Sequence, residues 1–419
     1  MSNFTDKEIG DALFQIGPLK APGVDGLPAR FFQKNWAVVK EDIIAAVKSF
    51  FATGVMPEGI NDTVIVLIPK GKNPHTLKDF RPISLCTVVY KIISKCLVNR
   101  MKPLLDGVIS ETQSAFIPGR MITDNALIAF ESFHKIQHDK NGRGSYSAYK
   151  LDLAKAYDRV DWYFLEQALL KVGFDARWVA WVMQCVKTVR YSVKLNGEYL
   201  DPFTPSRGLR QGDPLSPYLF LFVADSLVLL MHDKINTREL SPIKIARNSP
   251  GVSNLLFADD SLLFFKATTD QAKVVKEILC SFQRGTGQLL SSKKCSLLFN
   301  ENCPSATCEE IKDILGVESS SFESKYLGFP TPEGRMKDGH FQPIMDKLGK
   351  RCNDWSEKHM SYAAKEVHIK SVVQALLHTL WVSSNSQKGS VINTKKWFET
   401  FGGEMKKGKG RFTGWLGTG

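Results

Sequence analysis

The spacing of apolar residues changes period several times along the chain, and each change marks an element. Thr5-Asp6-Lys7-Glu8 has the form of a capping box, and Ile9, Ala12, Leu13 and Ile16 then recur on one helical face, so a short helix opens the chain. LKAPGVDGLPARFF (19–32) reads as a Pro/Gly loop, and Ile43 to Phe51 returns to helical spacing. Thr63 to Ile68 (TVIVLI) is β-branched enough for a buried strand that ends at Pro69. Val88 to Leu105 and Thr123 to Gln137 are two more helices, joined by a loop around IPGR. Ala148 to Leu153 is a strand, and LNGE at 195–198 is a hairpin with a two-residue turn. Ser216 and Pro217 supply an N-cap and an N1 proline to a long buried helix. A hairpin over 254–265, a helix from about Asp270 to Arg284 stopped by Gly285 and Gly287, and a strand at Cys295–Phe299 follow. With the insertions set aside, the order is β-α-β-β-α-β, the ferredoxin-like arrangement, in which the first strand lies beside the hairpin in one antiparallel sheet. Phe341 to Trp381 has the spacing of two helices, and the Gly/Lys-rich end, GGEMKKGKGRFTGWLGTG, is expected to be loosely ordered.

Composition adds that 419 residues, 43% of them hydrophobic and 23% charged, can fill two or three ordinary globular cores. A formal charge of +12 favours polyanionic company, nucleic acid ahead of an anionic membrane surface. The eight cysteines fall mostly in apolar runs with no CxxC pair, which points to free thiols in a reducing compartment; Cys303 and Cys308 are a weak zinc candidate. MSNFTDKEIG lacks the basic start and apolar stretch of a secretory signal. Tyr218 to Met231 is broken by Asp225 and falls short of the roughly 20 residues a membrane span needs. A soluble, intracellular protein is expected.

The chemistry centres on NLLFADDSLLFF (254–265), where two acids stand side by side among apolar neighbours. An unpaired carboxylate in such a place costs several kcal/mol or takes up a proton. Asp-Asp in a hairpin is weak by itself, because Asp is a common turn residue. KLDLAKAYDRVDW (150–162) changes the balance, since Asp152 ends the strand that should neighbour this hairpin. Asp152, Asp259 and Asp260 would then converge on one rim, where a divalent cation relieves their repulsion. Hard oxygen ligands with incomplete protein coordination suit Mg²⁺, which takes its other ligands from water and phosphate. Beside a basic surface, that means phosphoryl transfer by a nuclease or a polymerase. RGLRQGDPLSPYLF (207–220) adds a donor-rich loop, Gly208-Leu209-Arg210-Gln211-Gly212, that could lie against a nucleotide or could simply lead into a helix.

These stretches, in this order, spell a family. FADD (257–260), KLDLAKAYDRVDW, GLRQGDPLSPYLF (208–220), DFRPISLCTVVYKIISKCLVNR (79–100), QSAFIPGR (113–120) and KYLGFP (325–330) resemble the motifs of non-LTR (LINE-type) retrotransposon reverse transcriptases, especially those of plant genomes. The resemblance covers about residues 20 to 375. It implies an α+β, right-hand polymerase with fingers, a ferredoxin-like palm and a partial helical thumb. The corresponding divisions are 1–60 for an N-terminal helical extension and the start of the fingers, 61–146 for the fingers, 147–335 for the palm with inserted fingers segments, 336–382 for a helical thumb-like region and 383–419 for a basic tail. The reverse transcriptase domain as a whole spans about 60–335.

By the same resemblance Asp152, Asp259 and Asp260 match the metal-binding aspartates, and the Leu153 carbonyl occupies a position that could also coordinate. Tyr157 matches the aromatic gate against a ribose 2′-OH. Lys70, Arg81, Arg210 and Gln211 match the dNTP-binding positions. Lys294 matches a lysine near the leaving pyrophosphate, although Ser291 and Ser292 replace the asparagine usual before it, which leaves Lys293 as an alternative. KYLGFP resembles the primer grip. Implied partners are an RNA template, a DNA primer and deoxynucleoside triphosphates, with Mg²⁺, or Mn²⁺, in a two-metal mechanism and no membrane. The oligomeric state is left open, and the nucleus is the implied location. After about Val382 the family pattern degrades as though trimmed or misjoined, so the rival expectation is an inactive, truncated relic that at most binds nucleic acid. A two-metal nuclease, the third reading, needs neither a sugar gate nor a triphosphate grip.

Overall fold

The first element shows how local chemistry and distant packing combine. In a computed structural model describing residues 2–138, 145–319 and 321–331, helix α1 (Asp6–Phe14) opens with the expected capping box: the Glu8 N–H donates to Thr5 Oγ1 at 3.2 Å and the Thr5 N–H to Glu8 Oε2 at 2.9 Å. Helices α2 (Ala29–Lys34) and α3 (Trp36–Thr53) precede strands β1 (Asp62–Pro69) and β2 (Phe80–Cys86), and helices α4 (Val88–Met101), α5 (Leu105–Val108) and α6 (Ile122–His138) follow. Ile9 and Leu13 of α1, Val47 and Phe50 of α3 and Tyr90, Ile93 and Leu97 of α4 are buried in one core. Arg100 of α4 locks the start of the chain onto it. Its guanidinium lies 3.6 Å from the Phe4 ring centroid and donates to Glu8 at 2.8 and 3.0 Å and to the carbonyls of Ser2 and Asn3.

After β3 (Tyr146–Leu151), helices α7 (Trp162–Val172) and α8 (Ala176–Lys187) lead to β4 (Arg190–Leu195) and β5 (Glu198–Tyr199). The turn between these two strands is Asn196 (φ 51°) and Gly197 (φ 93°), the pair of left-handed residues that the NG signal predicts. One sheet has the order β2-β1-β4-β5, with β1 antiparallel to β2 and parallel to β4. β1 differs from the fully buried strand expected of TVIVLI. Thr63 and Val64 are buried, but the strand runs outward to an exposed Ile68 as the β1–β2 hairpin leaves the body.

The long helix α9 (Ser216–Asn236) precedes short strands β6 (Ile243–Lys244) and β7 (Gly251–Val252), then β8 (Asn254–Phe257), β9 (Asp260–Lys266), helix α10 (Thr269–Thr286), β10 (Ser296–Leu298) and α11 (Ser305–Leu315). Ser216 is already helical and does not cap. Leu215 holds the cap position without a side-chain bond, and Asp213 Oδ1 accepts the Leu215 N–H at 2.9 Å, so the polar group supplying this turn lies upstream. The second sheet has the order β10-β3-β9-β8, every pair antiparallel, which is the ferredoxin-like order expected of β-α-β-β-α-β. Tyr149 and Leu151 of β3 and Leu263 and Phe265 of β9 share a core with Leu227 and Met231 of α9, Val275, Leu279 and Phe282 of α10 and Ile311 and Leu315 of α11. Leu262 and Phe264, on the alternate positions of β9, are buried as well. A strand covered on both faces reads as a continuous apolar run.

The chain divides into two compact units: Met1–Asn125 with Ile136–Phe322, and Ala126–Lys135 with the chain from Glu323 onward, of which the described residues reach Thr331. In the second unit β11 (Lys325–Tyr326) and β12 (Phe329–Pro330) form a hairpin over Leu327 and Gly328, so KYLGFP folds as a hairpin. Tyr326 packs edge-on against Phe133 at 6.4 Å. The helices expected at 341–381 and the basic end fall outside the described residues.

The Arg100 hydrogen bonds hold the Glu8 carboxyl well down, to about 2. A carboxyl depressed in the fold stabilises it above the unfolded value and loses that contribution as pH falls toward the folded one. Glu8→Gln should therefore unfold at lower urea than the parent at pH 6, and the gap should close on acidification from about 4.5 to about 2. Urea midpoints at a series of pH values measure this, and a gap independent of pH would remove the ion pair as its cause.

Candidate active site

Register decides which acidic residues meet. β3 and β9 pair with Leu151 opposite Ser261, and β8 and β9 close a hairpin with Phe257 opposite Asp260. Asp152 is the next residue out from Leu151, and Asp260 the next beyond Ser261. The ladder thus delivers both to the same end of the sheet, as neighbours across the strand pair. Asp259 occupies the turn itself and is exposed, whereas Asp152 and Asp260 are half-buried. The other turn residue, Ala258, has φ 56°, a backbone state that favours glycine, so the turn carrying Asp259 is strained.

Beyond Asp152 the chain continues as a bridge, Leu153 with Leu290. The Asp152 carbonyl accepts the Ser291 N–H at 2.9 Å. Successive carbonyls of an extended chain point to opposite edges, so the Leu153 carbonyl faces away from this partner. Lys294 Nζ is 3.5 Å from Asp152 Oδ1 on an exposed side chain, an existing cation beside the acidic set. Among the described residues no three Asp, Glu, His or Cys side chains close around one point as a cage. The donors are all hard oxygens on an open rim, a set that fits Mg²⁺ completing its shell with water and phosphate better than zinc.

Tyr157 sits in a short turn (Tyr157–Arg159) and stacks on Phe220 of α9, centroids 4.9 Å apart and planes 14° apart. Burial, and then the charge of Asp259, pushes its phenol well above the usual range. Tyr157 and the turn aspartate are thus within electrostatic reach. Gly208 and Gly212 let the 207–213 loop approach: a Cβ on Gly208 would lie 2.7 Å from the Asp158 carbonyl oxygen, and one on Gly212 would lie 3.0 Å from that of Ser84. The Leu209 N–H donates to the Tyr157 carbonyl at 2.8 Å, and the Ser84 N–H to the Gln211 carbonyl at 2.8 Å. Half-buried Gln211 reaches Asp158 Oδ1 with its amide at 3.5 Å. Burial pushes the Asp158 carboxyl up, opposed by Lys155, Gln211 and Lys70. Lys70 and Arg81 lie on the β1–β2 hairpin, where Arg81 pairs with Ile68; both are exposed, and Lys70 Nζ donates to the Lys78 carbonyl at 2.7 Å.

Arg210 departs from the dNTP-binding role expected of it. It is 4% exposed, its guanidinium stacks 3.9 Å over the Tyr90 ring, and it bonds Asn61 Oδ1, the Cys185 carbonyl at 2.8 Å and Asp213 at 3.1 Å. Tyr90 Oη donates to the same carboxylate at 2.7 Å. A cation committed to a buried network braces the loop from beneath.

Sequence reasoning missed the braces. Gln288, fully buried, donates to the Ala156 carbonyl at 2.9 Å, and the Arg159 Nε donates to the Gly287 carbonyl at 3.0 Å. Gln113, fully buried, accepts the Ala258 N–H at 3.1 Å. QSAFIPGR was the available signal for Gln113, but its partner is far along the chain.

The ferredoxin-like sheet carries acids at the end of its first strand and on its hairpin, and the Tyr157 turn that follows the first acid is hydrogen-bonded to the glycine-bounded loop, an arrangement consistent with a polymerase fold. Residues 68–331 match the reverse transcriptase (RNA-dependent DNA polymerase) family, and the chain belongs to it. It is 30% identical over 263 residues to the transposon TX1 149 kDa protein of Xenopus laevis, covering 63% of this chain and 20% of that protein. It is 28% identical over 338 residues to the Pol polyprotein of the type-2 retrotransposable element R2DM of Drosophila melanogaster, covering 78% of this chain and 30% of the relative. A mitochondrial protein of Arabidopsis thaliana is 48% identical over 67 residues, 16% of this chain and 55% of its own. The chain spans 20% and 30% of the length of the first two relatives.

Arg210→Met would leave Asp213 a buried charge held only by a hydroxyl and an N–H. Unfolding free energy should fall by about 3–5 kcal/mol, the usual cost of removing one partner of a buried pair. Urea denaturation measures it, and an unchanged midpoint would mean that the network does not support the fold.

Proposed function

We propose that this chain is an RNA-directed DNA polymerase of a non-LTR retrotransposon, extending a primer 3′-hydroxyl with deoxynucleotides on an RNA template. The observation that carries this reading is the β3–β9 register, which delivers Asp152 and Asp260 together beside the turn bearing Asp259. In this reading the β10-β3-β9-β8 sheet is the palm, the β2-β1-β4-β5 sheet belongs to the fingers, and β11–β12 is the primer grip. The carboxylates of Asp152, Asp259 and Asp260 and the carbonyl of Leu153 would hold Mg²⁺, or Mn²⁺ through the same hard-oxygen donors. Bound there, the metal would supply Lewis-acid activation of the hydroxyl and neutralise charge on the leaving group.

The chain's own residues bind, orient and discriminate. Lys70 and Arg81 on the fingers hairpin grip the triphosphate, the guanidinium pairing with two phosphate oxygens. Gln211 lies beside the nucleotide. The Tyr157 ring, backed by Phe220, acts in this reading as the gate that excludes a ribose 2′-hydroxyl. As the primer 3′-hydroxyl gives up its proton to solvent and its oxygen bonds the α-phosphorus, the bond to the bridging oxygen breaks and pyrophosphate leaves. Lys294 Nζ carries a proton that this group can take. The template and primer are held mainly through phosphates by a basic surface, so affinity falls with salt and is indifferent to sequence. Action on chromosomal DNA would place the protein in the nucleus.

Primer extension on an RNA template, with Mg²⁺ and with a chelator, tests the reading. The purified chain should incorporate dNTPs only with the divalent ion, and Asp259→Asn should lose at least a hundredfold in rate, in keeping with the weight of such electrostatic contacts. An inert parent indistinguishable from Asp259→Asn would mean a nucleic-acid-binding relic. Tyr157→Ala should incorporate ribonucleotides more readily relative to dNTPs, and an unchanged ratio would remove it as the gate.

A further inference from the structure

β8 would be the outer strand of its sheet, with backbone groups open to solvent, were it not for the segment that follows α5. Residues 112–114 run parallel along it, through the bridge between Gln113 and Leu256. The Ser114 N–H donates to the Leu256 carbonyl at 3.0 Å and the Leu256 N–H to the Thr112 carbonyl at 2.9 Å. Asn125 Nδ2 donates to the same Leu256 carbonyl at 2.9 Å. The segment is itself tied down by Arg120, which donates to the carbonyls of Gln113 at 2.7 Å and Ile109 at 3.0 Å while pairing with Asp106 at 2.9 Å. Asp225 of α9 accepts the Ser110 N–H at 3.1 Å.

From this anchored segment one side chain reaches the strained turn. Gln113 Oε1 accepts two backbone N–H groups, Ala115 at 2.9 Å and Ala258 at 3.1 Å. Both donors can be served only by an oxygen, which fixes the amide's orientation. The Nε2 end is buried with no hydrogen-bond partner among the described residues, so it is the oxygen that the site uses. Ala258, in the left-handed region without being glycine, must be held there by its surroundings. Asp259 is the next residue.

We propose that Gln113 is a positioning residue: its side-chain oxygen holds the Ala258 N–H and thereby fixes the turn that presents Asp259. The consequence for metal binding rests on the polymerase reading, whereas the clamp on the turn does not. Replacing the oxygen with a group of similar length that cannot accept, Gln113→Met, leaves two buried N–H groups unserved and frees the turn. Gln113→Glu keeps an acceptor at the same reach.

Hydrogen–deuterium exchange of the folded full chain, followed on peptides covering 254–265 and 146–151, reads the clamp directly. The hairpin peptide should exchange about tenfold faster in Gln113→Met, the equivalent of one lost hydrogen bond, with the β3 peptide unchanged. Gln113→Glu should lie nearer the parent. In primer extension the Mn²⁺ concentration for half-maximal rate should rise several-fold in Gln113→Met while KM for dNTP holds. An unchanged hairpin peptide, faster exchange throughout the protein, a defect confined to KM for dNTP, or a glutamate variant no better than methionine would each overturn the proposal. A parent that incorporates no nucleotide would count against the polymerase reading instead, and the exchange measurement would still decide the clamp.

Discussion

The antiparallel ladder between β3 and β9 governs the rest of the site, because side chains on paired strands alternate faces with a period of two. A slip of one residue would turn Tyr149 and Leu151 out of the core they share with α9 and α10, and would carry Asp152 away from Asp260 in the same movement. Apolar burial on β3 and β9 therefore enforces the meeting of acidic groups that repel each other. The hydrophobic core does electrostatic work.

Around this ladder each functional segment is held by backbone from a distant part of the chain. The 152–154 stretch pairs with 289–291, the Tyr157 turn receives the Leu209 N–H, and the loop bearing Gln211 receives the Ser84 N–H. Glycines stand where two backbones come within contact, at Gly208 and Gly212. Such a site is rigid at its base and polar at its rim.

Much of this was legible because it is written locally. A capping box at Thr5, an Asn-Gly turn and an apolar run interrupted by two acids each state their structure within a few residues, and the β-α-β-β-α-β order then places Asp152 beside the hairpin. What was misread depends on partners remote in sequence. Arg210 looks like a free cation in a glycine-bounded loop until Asn61, Tyr90 and Cys185 are seen to enclose it. Ser216 before proline looks like a cap, but the polar group that serves the turn is Asp213. TVIVLI has the composition of a buried strand, and only its place at the root of a projecting hairpin exposes Ile68. Gln113 lies in the QSAFIPGR motif, but its role depends on which N–H groups face the amide, and one of them, Ala258, is far along the chain.

The parallel pairing of β1 with β4, and the place of β10 beside β3, also govern the order of events during synthesis. β1 leaves the ribosome well before β4 exists, and β3 well before Ser296–Leu298, so neither sheet can close until those later strands have emerged. Helices α1, α3 and α4 pack on one another and emerge early, but the core they share is completed only by Trp181 of α8 and by residues of α9. Until the later strands emerge, half-built sheets present open edges, and protection of the nascent chain becomes part of making this protein at all.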